Sequence, residues 1–190
     1  MIGGLILAAG DGTRFGPEPK LLAELEGRPL LEWAIEAQSR APALERIVVV
    51  LGANADLVLE GVDFLDAEPV VCEDWRDGQS ASLRLGVEQL AGADKVIVTL
   101  GDQPLITPQV IARFVDERAP ARATYEGIPG HPVSLARKQL TAIAGVSGDR
   151  GARELLGAAR RIECGHLCSG RDVDTPNDLE AIRHEARAII

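Results

Sequence analysis

No apolar run in the 190-residue chain approaches the roughly 18 residues that cross a bilayer, so a membrane-spanning helix is not expected. Met1-Ile2-Gly3-Gly4-Leu5-Ile6-Leu7 has no basic n-region, and a glycine loop stands where a cleavage site would fall. A secretory leader is not expected either, and the chain reads as cytoplasmic. Cysteine is scarce: three residues make an odd count for a disulfide framework and suit a reducing compartment. Positive charge is short as well. The 20 Lys and Arg face 29 Asp and Glu, a net charge of -9, which repels a nucleic-acid backbone and an anionic membrane surface. Neither is expected as a partner. A small anionic ligand is compatible with this balance, provided the few cations gather in one pocket. Repeats, low-complexity tracts and linkers are missing too. What is there is ordinary globular composition, 46% hydrophobic and 26% charged. Residues 1–190 have the length of one domain, able to bury roughly 70% of its unfolded surface.

Short apolar runs alternate with longer segments of helical period, the pattern of a parallel sheet with crossover helices. Strands are predicted at Leu5–Ala8, Arg46–Leu51, Val70-Val71 and Lys95–Leu100. Helices are predicted from Pro29 to about Gln38, from a Ser80 cap to about Leu90, and from Thr107-Pro108 to about Arg118. Ala121–Tyr125 and Val133–Leu135 read as antiparallel additions. Short helices at Arg137–Ile143 and Arg150–Ala158, a strand at Arg161–Cys164 and an amphipathic helix over Thr175–Arg187 complete the chain. The expected fold is a three-layer α/β domain, its central sheet mostly parallel with a small antiparallel addition.

Directly after the first strand comes Leu7-Ala8-Ala9-Gly10-Asp11-Gly12-Thr13-Arg14-Phe15-Gly16. Ligands of open α/β sheets sit beyond the carboxyl ends of strands, and three glycines let main-chain N–H groups close around an anion. Arg14 and Lys20 add side-chain charge. The glycine spacing approximates a dinucleotide fingerprint, but Leu51-Gly52-Ala53 stands where that motif needs an acidic residue. A pyrophosphate at a helix N-terminus does not call for both cations. No Gly-Lys-Ser/Thr completes a Walker A loop. A tight turn with solvated cations is the plain alternative. Two cations beside a triple-glycine turn favour a triphosphate.

Val98-Thr99-Leu100-Gly101-Asp102-Gln103-Pro104-Leu105 places one carboxylate at the end of a central strand. Mg²⁺ is held by one or two carboxylates plus phosphate oxygens, so Asp102 facing a triphosphate suits it; an Asp there also suits a turn cap. Asp172-Val173-Asp174-Thr175-Pro176-Asn177-Asp178-Leu179 offers three carboxylates where one helix cap needs one. A metal bridging two remote loops would use the surplus.

Together these segments resemble the MobA-like nucleotidyltransferases. The match runs from Leu7 to Lys20, through Leu21-Leu22 and Gly27-Arg28-Pro29-Leu30-Leu31. Gly78-Gln79-Ser80-Ala81-Ser82-Leu83, Gly101-Asp102-Gln103-Pro104, Gly148-Asp149-Arg150-Gly151-Ala152-Arg153 and the Asp172–Leu179 ending resemble the molybdenum cofactor cytidylyltransferase-like branch. The resemblance implies a Rossmann-like nucleotidyltransferase fold. It also implies Mg²⁺-dependent transfer of a nucleoside monophosphate, from CTP by preference, to a phosphate-bearing acceptor such as molybdopterin cofactor, with release of pyrophosphate. Leu7, Ala8, Ala9, Gly10, Gly12, Thr13, Arg14 and Lys20 would hold the triphosphate, with Gln79 and Ser80 near base and ribose. Asp102 would be the principal metal ligand and Asp174 the second. His131, Asp149 and Arg153 would serve the acceptor, and Arg14, Lys20 and Asp102 would carry catalysis. In this family Ala9 goes with cytidylyl transfer and a glycine there with guanylyl transfer. A downstream molybdoenzyme or its chaperone is the implied macromolecular partner.

Two other readings stand beside this one. A sugar-phosphate or isoprenoid-precursor nucleotidyltransferase would share the first loop but not the Gly148–Arg153 segment. A non-catalytic nucleotide-binding accessory protein for molybdoenzyme maturation would not need Lys20, Asp102 and Asp174 together. The chemistry itself asks for little else. A phosphate monoester is already ionised near neutral pH, so no Ser-His-Asp set is required, only alignment and charge neutralisation. Cys164-Gly165-His166-Leu167-Cys168 lacks the second pair of ligands of a structural zinc site and reads as buried thiols. Cys72, followed by Glu73 and Asp74, is no thiolate nucleophile. Trp75 packs its loop or lids the base pocket, and His131, between Gly130 and Pro132, is placed in a loop.

Overall fold

Continuous apolar strands need cover on both faces, and the chain supplies it with helices on either side of one sheet. The computed structural model describes residues 1–143 and 159–189. In chain order the strands are β1 (Ile2–Ala8), β2 (Glu24–Leu25), β3 (Arg28–Pro29), β4 (Arg46–Leu51), β5 (Glu68–Val71), β6 (Lys95–Leu100), β7 (Ala121–Tyr125), β8 (Ile128–Ala136) and β9 (Arg160–Glu163). The α-helices are α1 (Leu30–Ser39), α2 (Ala55–Gly61), α3 (Gln79–Gln89), α4 (Pro108–Asp116), α5 (Arg137–Ile143) and α6 (Pro176–Ile189). Among the described residues seven strands form the main sheet, ordered β5-β4-β1-β6-β8-β7-β9, and β2 pairs with β3 apart from it. β5, β4, β1 and β6 are parallel. β8 runs antiparallel to β6 and β7, and β9 is parallel to β7. The fold is the expected α/β one, mostly parallel with an antiparallel addition.

Strand period sorts the side chains into layers. Leu5, Leu7 and Ala9, with Val48, Val50, Val96 and Val98, pack against α3 and α5. Ile6 and Ala8, with Ile47, Val49 and Leu51, pack against α1 and α2, and Ile97 against α4. Each fully buried Leu, Ile or Val contributes roughly 1.5–3 kcal/mol. Gln38, wholly buried on α1, donates Nε2 to Thr99 Oγ1 at 2.8 Å and to Leu5 O at 3.3 Å, tying that helix to β1 and β6. Gly4 is what admits it, since a Cβ there would lie 2.0 Å from Gln38 Oε1.

Several expectations need correction. β1 begins at Ile2, three residues earlier than predicted, because the space beside Gly3 and Gly4 is filled by Leu90 and Gln38. Ser80 does not cap α3. A 3-10 turn over Trp75–Asp77 delivers the chain to Gly78, whose φ of 104° makes the reversal, and Ser80 sits buried in the first turn. His131 lies within β8, not in a loop. Thr107 does cap α4, its side chain accepting the Val110 N–H, with Pro108 in the first turn. The helix predicted over Arg150–Ala158 lies outside the described residues.

Candidate active site

The parallel strands run outward from β1 to β4 and β5, then return to β6 on the other side of β1. Such a reversal leaves a crevice beyond the carboxyl ends of the strands. Strand parity then decides which loop residues enter it. Leu7 and Ala9 face the α3 side and, with Gly10, Gln79, Ser82 and Asp102, line a cleft of about 470 Å³. Ala8 points to the opposite face, where the Cβ it carries lies 3.0 Å from where one would stand on Gly101. Gln79 and Ser82, three apart on α3, share one face; Ser80 and Ser82 are equally buried at 2% exposure, but of the two it is Ser82 that lines the cleft. Trp75 both lines the cleft and packs partly buried against the α3-side core. Arg76 stacks its guanidinium 4.5 Å from the Trp75 ring. The absent acidic residue after β4 also has an account. A Cβ on Gly52 would lie 2.6 Å from Ala9 O and 2.7 Å from Trp75 Cβ, so that position makes a close backbone approach.

The glycine loop carries its cations toward two distant carboxylates. Phe15 N–H donates to Gly12 O at 2.8 Å, and Gly12, at φ +60°, passes so near Lys20 that a Cβ would stand 3.0 Å from the Lys20 Cβ. Thr13 and Arg14 are exposed on this loop. Lys20 opens a 3-10 turn over Lys20–Leu22 and sends Nζ to Asp102 Oδ2 at 2.7 Å and Asp174 Oδ1 at 3.2 Å. Arg14 reaches Asp174 Oδ2 at 2.9 Å. Val173 N–H donates to Asp102 O at 2.9 Å, fixing the two acidic loops side by side. Burial alone would lower the Lys20 pKa, but the Asp102 and Asp174 carboxylates outweigh it and raise it. Four residues from three remote segments therefore meet at one point.

Those carboxylates suit a divalent cation. Asp102 Oδ1 is buried without a hydrogen-bond partner, while Oδ2 holds Lys20. An orphaned carboxylate oxygen beside a second carboxylate matches the all-oxygen preference of Mg²⁺. Among the described residues no group of three His, Cys, Asp or Glu side chains converges, so phosphate or water oxygens would complete the shell. The surplus of carboxylates near the C-terminus resolves into three tasks. Asp174 faces the cations, Asp172 Oδ1 accepts Gln103 Nε2 at 2.6 Å, and Asp178 caps α6. Asp178 Oδ2 takes the Thr175 N–H at 2.8 Å and Thr175 Oγ1 takes the Asp178 N–H at 3.2 Å, a reciprocal capping box.

A second cleft of about 920 Å³ opens beyond β6, and Leu100 lines both. His131 is here, with Gln103, Arg122, Tyr125 and Asp172. Tyr125 Oη donates to His131 O at 2.6 Å. Its ring passes so close to Gly170 that a Cβ would fall 2.1 Å from Tyr125 Cε2. Burial and then the Arg122 charge press the His131 pKa down to about 4, which keeps the imidazole neutral. Burial and the Asp102 charge raise Asp172. Tyr125, Arg122 and Gln103 escaped sequence reasoning, because β7 and the loop after β6 meet here only through the antiparallel turn of the sheet. Asp149 and Arg153 lie outside the described residues. Cys164 and Cys168 are buried and His166 is exposed; burial pushes the Cys164 thiol up to about 11.

Against known proteins, residues 4–163 match the MobA-like NTP transferase domain. The chain belongs to that family of nucleotidyltransferases. A nicotine blue oxidoreductase of Paenarthrobacter nicotinovorans is 33% identical to this MobA-like chain over 191 residues, 93% of each protein. Bifunctional protein GlmU of Rhodospirillum rubrum is 40% identical over 119 residues, which cover 62% of this chain and 26% of that protein. Among solved structures, Rv0371c of Mycobacterium tuberculosis superposes with a TM-score of 0.84 at 27% identity, over 96% of this chain and 97% of that one. A manganese complex of Rv0371C superposes at 0.80.

Proposed function

We propose that this MobA-like protein is a Mg²⁺-dependent cytidylyltransferase that moves CMP from CTP to the phosphate of molybdopterin cofactor and releases pyrophosphate. We place it in the cytoplasm, upstream of a molybdoenzyme or its chaperone. The observation that carries the reading is the meeting of Arg14, Lys20, Asp102 and Asp174 at the edge of the smaller cleft, which Asp102 lines. One cleft is lined by the glycine loop and suits the nucleotide; the other, with Arg122 and a neutral His131, suits the acceptor. Main-chain N–H groups of the loop would grip the triphosphate, and Lys20 and Arg14 would neutralise it. An ionised acceptor oxygen attacks the α-phosphorus in line, forming the new P–O bond as the bond to the bridging oxygen breaks and pyrophosphate departs. No proton need be removed from the nucleophile. Mg²⁺ held by Asp102 and Asp174 would supply further neutralisation of the phosphate oxygens. The methyl group of Ala9 narrows the cleft wall, which supports a pyrimidine over a purine.

The 33% identity to a nicotine blue oxidoreductase over 93% of each protein favours a second reading, an oxidoreductase, for which NADPH serves as the electron-carrier probe. A thermal-shift panel separates the two, with CTP, GTP, ATP, UTP and NADPH, each with and without Mg²⁺. Ligand at 100 times its Kd stabilises by about 2.7 kcal/mol, a shift of several degrees at this size. A Mg²⁺-dependent shift confined to CTP is expected. A shift with GTP keeps the reaction and changes the product, whereas a metal-independent shift with NADPH alone overturns the transferase.

A further inference from the structure

We propose that Lys20 is an internal counter-ion that keeps divalent metal off the Asp102–Asp174 pair until a triphosphate draws it away, so that metal and nucleotide bind as a linked pair. The proposal rests on the transferase reading of the site and adds to it an order of events. The ammonium and a metal ion would compete for the same atoms. Lys20 Nζ already occupies Asp102 Oδ2 at 2.7 Å and Asp174 Oδ1 at 3.2 Å, and a cation ligating those oxygens at roughly 2.0–2.6 Å would sit against a like charge. Water does little to loosen this arrangement, since the Lys20 side chain is only 11% exposed. Arg14 holds the other oxygen of Asp174 but is 72% exposed, so solvent screens it and Lys20 carries the exclusion.

The release is built into the same contact. The Lys20 stem lies against Gly12, in the glycine loop itself. A triphosphate seated there brings negative charge to the ammonium from the loop side. Lys20 can then exchange partners without its backbone moving, and the vacated carboxylate oxygens, with the orphaned Asp102 Oδ1, become available to metal. Linkage is reciprocal: if nucleotide tightens metal binding, metal tightens nucleotide binding by the same factor.

The test uses Mn²⁺ as the probe, titrated into the full chain without nucleotide while free Mn²⁺ is read by electron paramagnetic resonance. Lys20→Met keeps the length of the stem and removes the charge. It should bind Mn²⁺ about tenfold more tightly than the wild type, within the usual range of coupling between sites. Adding Asp102→Asn to Lys20→Met should abolish the gain, which locates the ion. A non-hydrolysable CTP analogue should tighten Mn²⁺ binding in the wild type and do so much less in Lys20→Met. Unchanged or weaker Mn²⁺ binding by Lys20→Met overturns the counter-ion, and Lys20→Gln serves the same test if the Met variant does not fold by circular dichroism. The nucleotide-free arm needs no transferase activity. A gain in Mn²⁺ affinity with no response to a CTP or GTP analogue keeps the counter-ion and removes the transferase, while a nucleotide response without the gain does the reverse.

Discussion

Lys20→Ala and Asp102→Ala should each cut turnover by about 100-fold or more, because the first removes a cation from the reacting phosphates and the second a carboxylate that would hold the metal. Pyrophosphate release from CTP and acceptor measures this, and near-normal rates in either variant would take that residue out of the reaction. His131 carries a different signature. Its pKa is about 4 in the folded protein against about 6.5 in an unfolded chain. The unfolded state therefore binds more protons between those values, and stability falls as pH drops from about 6.5 through 4. His131→Asn should flatten that part of the stability curve in urea melts. An unaltered slope would show that the imidazole titrates as it does in water.

At the scale of elements, the wall of the larger cleft hangs on Glu163 at the end of β9. Its carboxylate accepts Thr124 Oγ1 at 2.8 Å and the N–H groups of Glu126 at 3.0 Å, Gly127 at 3.2 Å and Gly165 at 3.0 Å. Those donors, the Thr124 hydroxyl first, hold its pKa down to about 2. Glu163→Ala should raise the KM for acceptor and leave the CTP-induced thermal shift as it is; a loss of both would mean that β9 supports the whole sheet edge. Strong local chemistry made much of the fold legible beforehand. β4 and β6 are buried runs, and α4 announces itself with Thr107-Pro108. α2 did not, because it buries Ala55 and Val58 while Leu57 and Leu59 face solvent, so its apolar residues mask the period. The β2–β3 hairpin has two residues per strand and turns through Glu26 and Gly27 at φ 48° and 79°, too short to show a strand period. In the site, charges and glycines pointed to Lys20, Asp102 and Asp174, which do converge. The choice of Ser82 over Ser80 for the cleft depended on where α3 starts, and a positive φ at Gly78 set that.

Across the whole molecule, the division of labour follows the sheet. The glycine loop, Trp75, α3 and the end of β6 frame one cleft, and β7, β8 and the residues after β9 frame the other. Arg122→Ala should therefore weaken acceptor binding while CTP still shifts the melting temperature as in the wild type. A matching loss of CTP binding would show that the two clefts act as one. The negative surface gives the arrangement its sign. With a net charge of -9, attraction for phosphate is confined to the few places where cations face a ligand, so an anion bound elsewhere gains little. The reversal of direction between β6 and β8 also has a practical meaning, because it is a joint. On the proposed reading the residues assigned to the nucleotide precede it, and most of the lining assigned to the acceptor follows. If that reading holds, grafting the stretch from β7 onward onto another chain of this architecture should transplant the taste for one acceptor and leave the taste for one nucleotide behind.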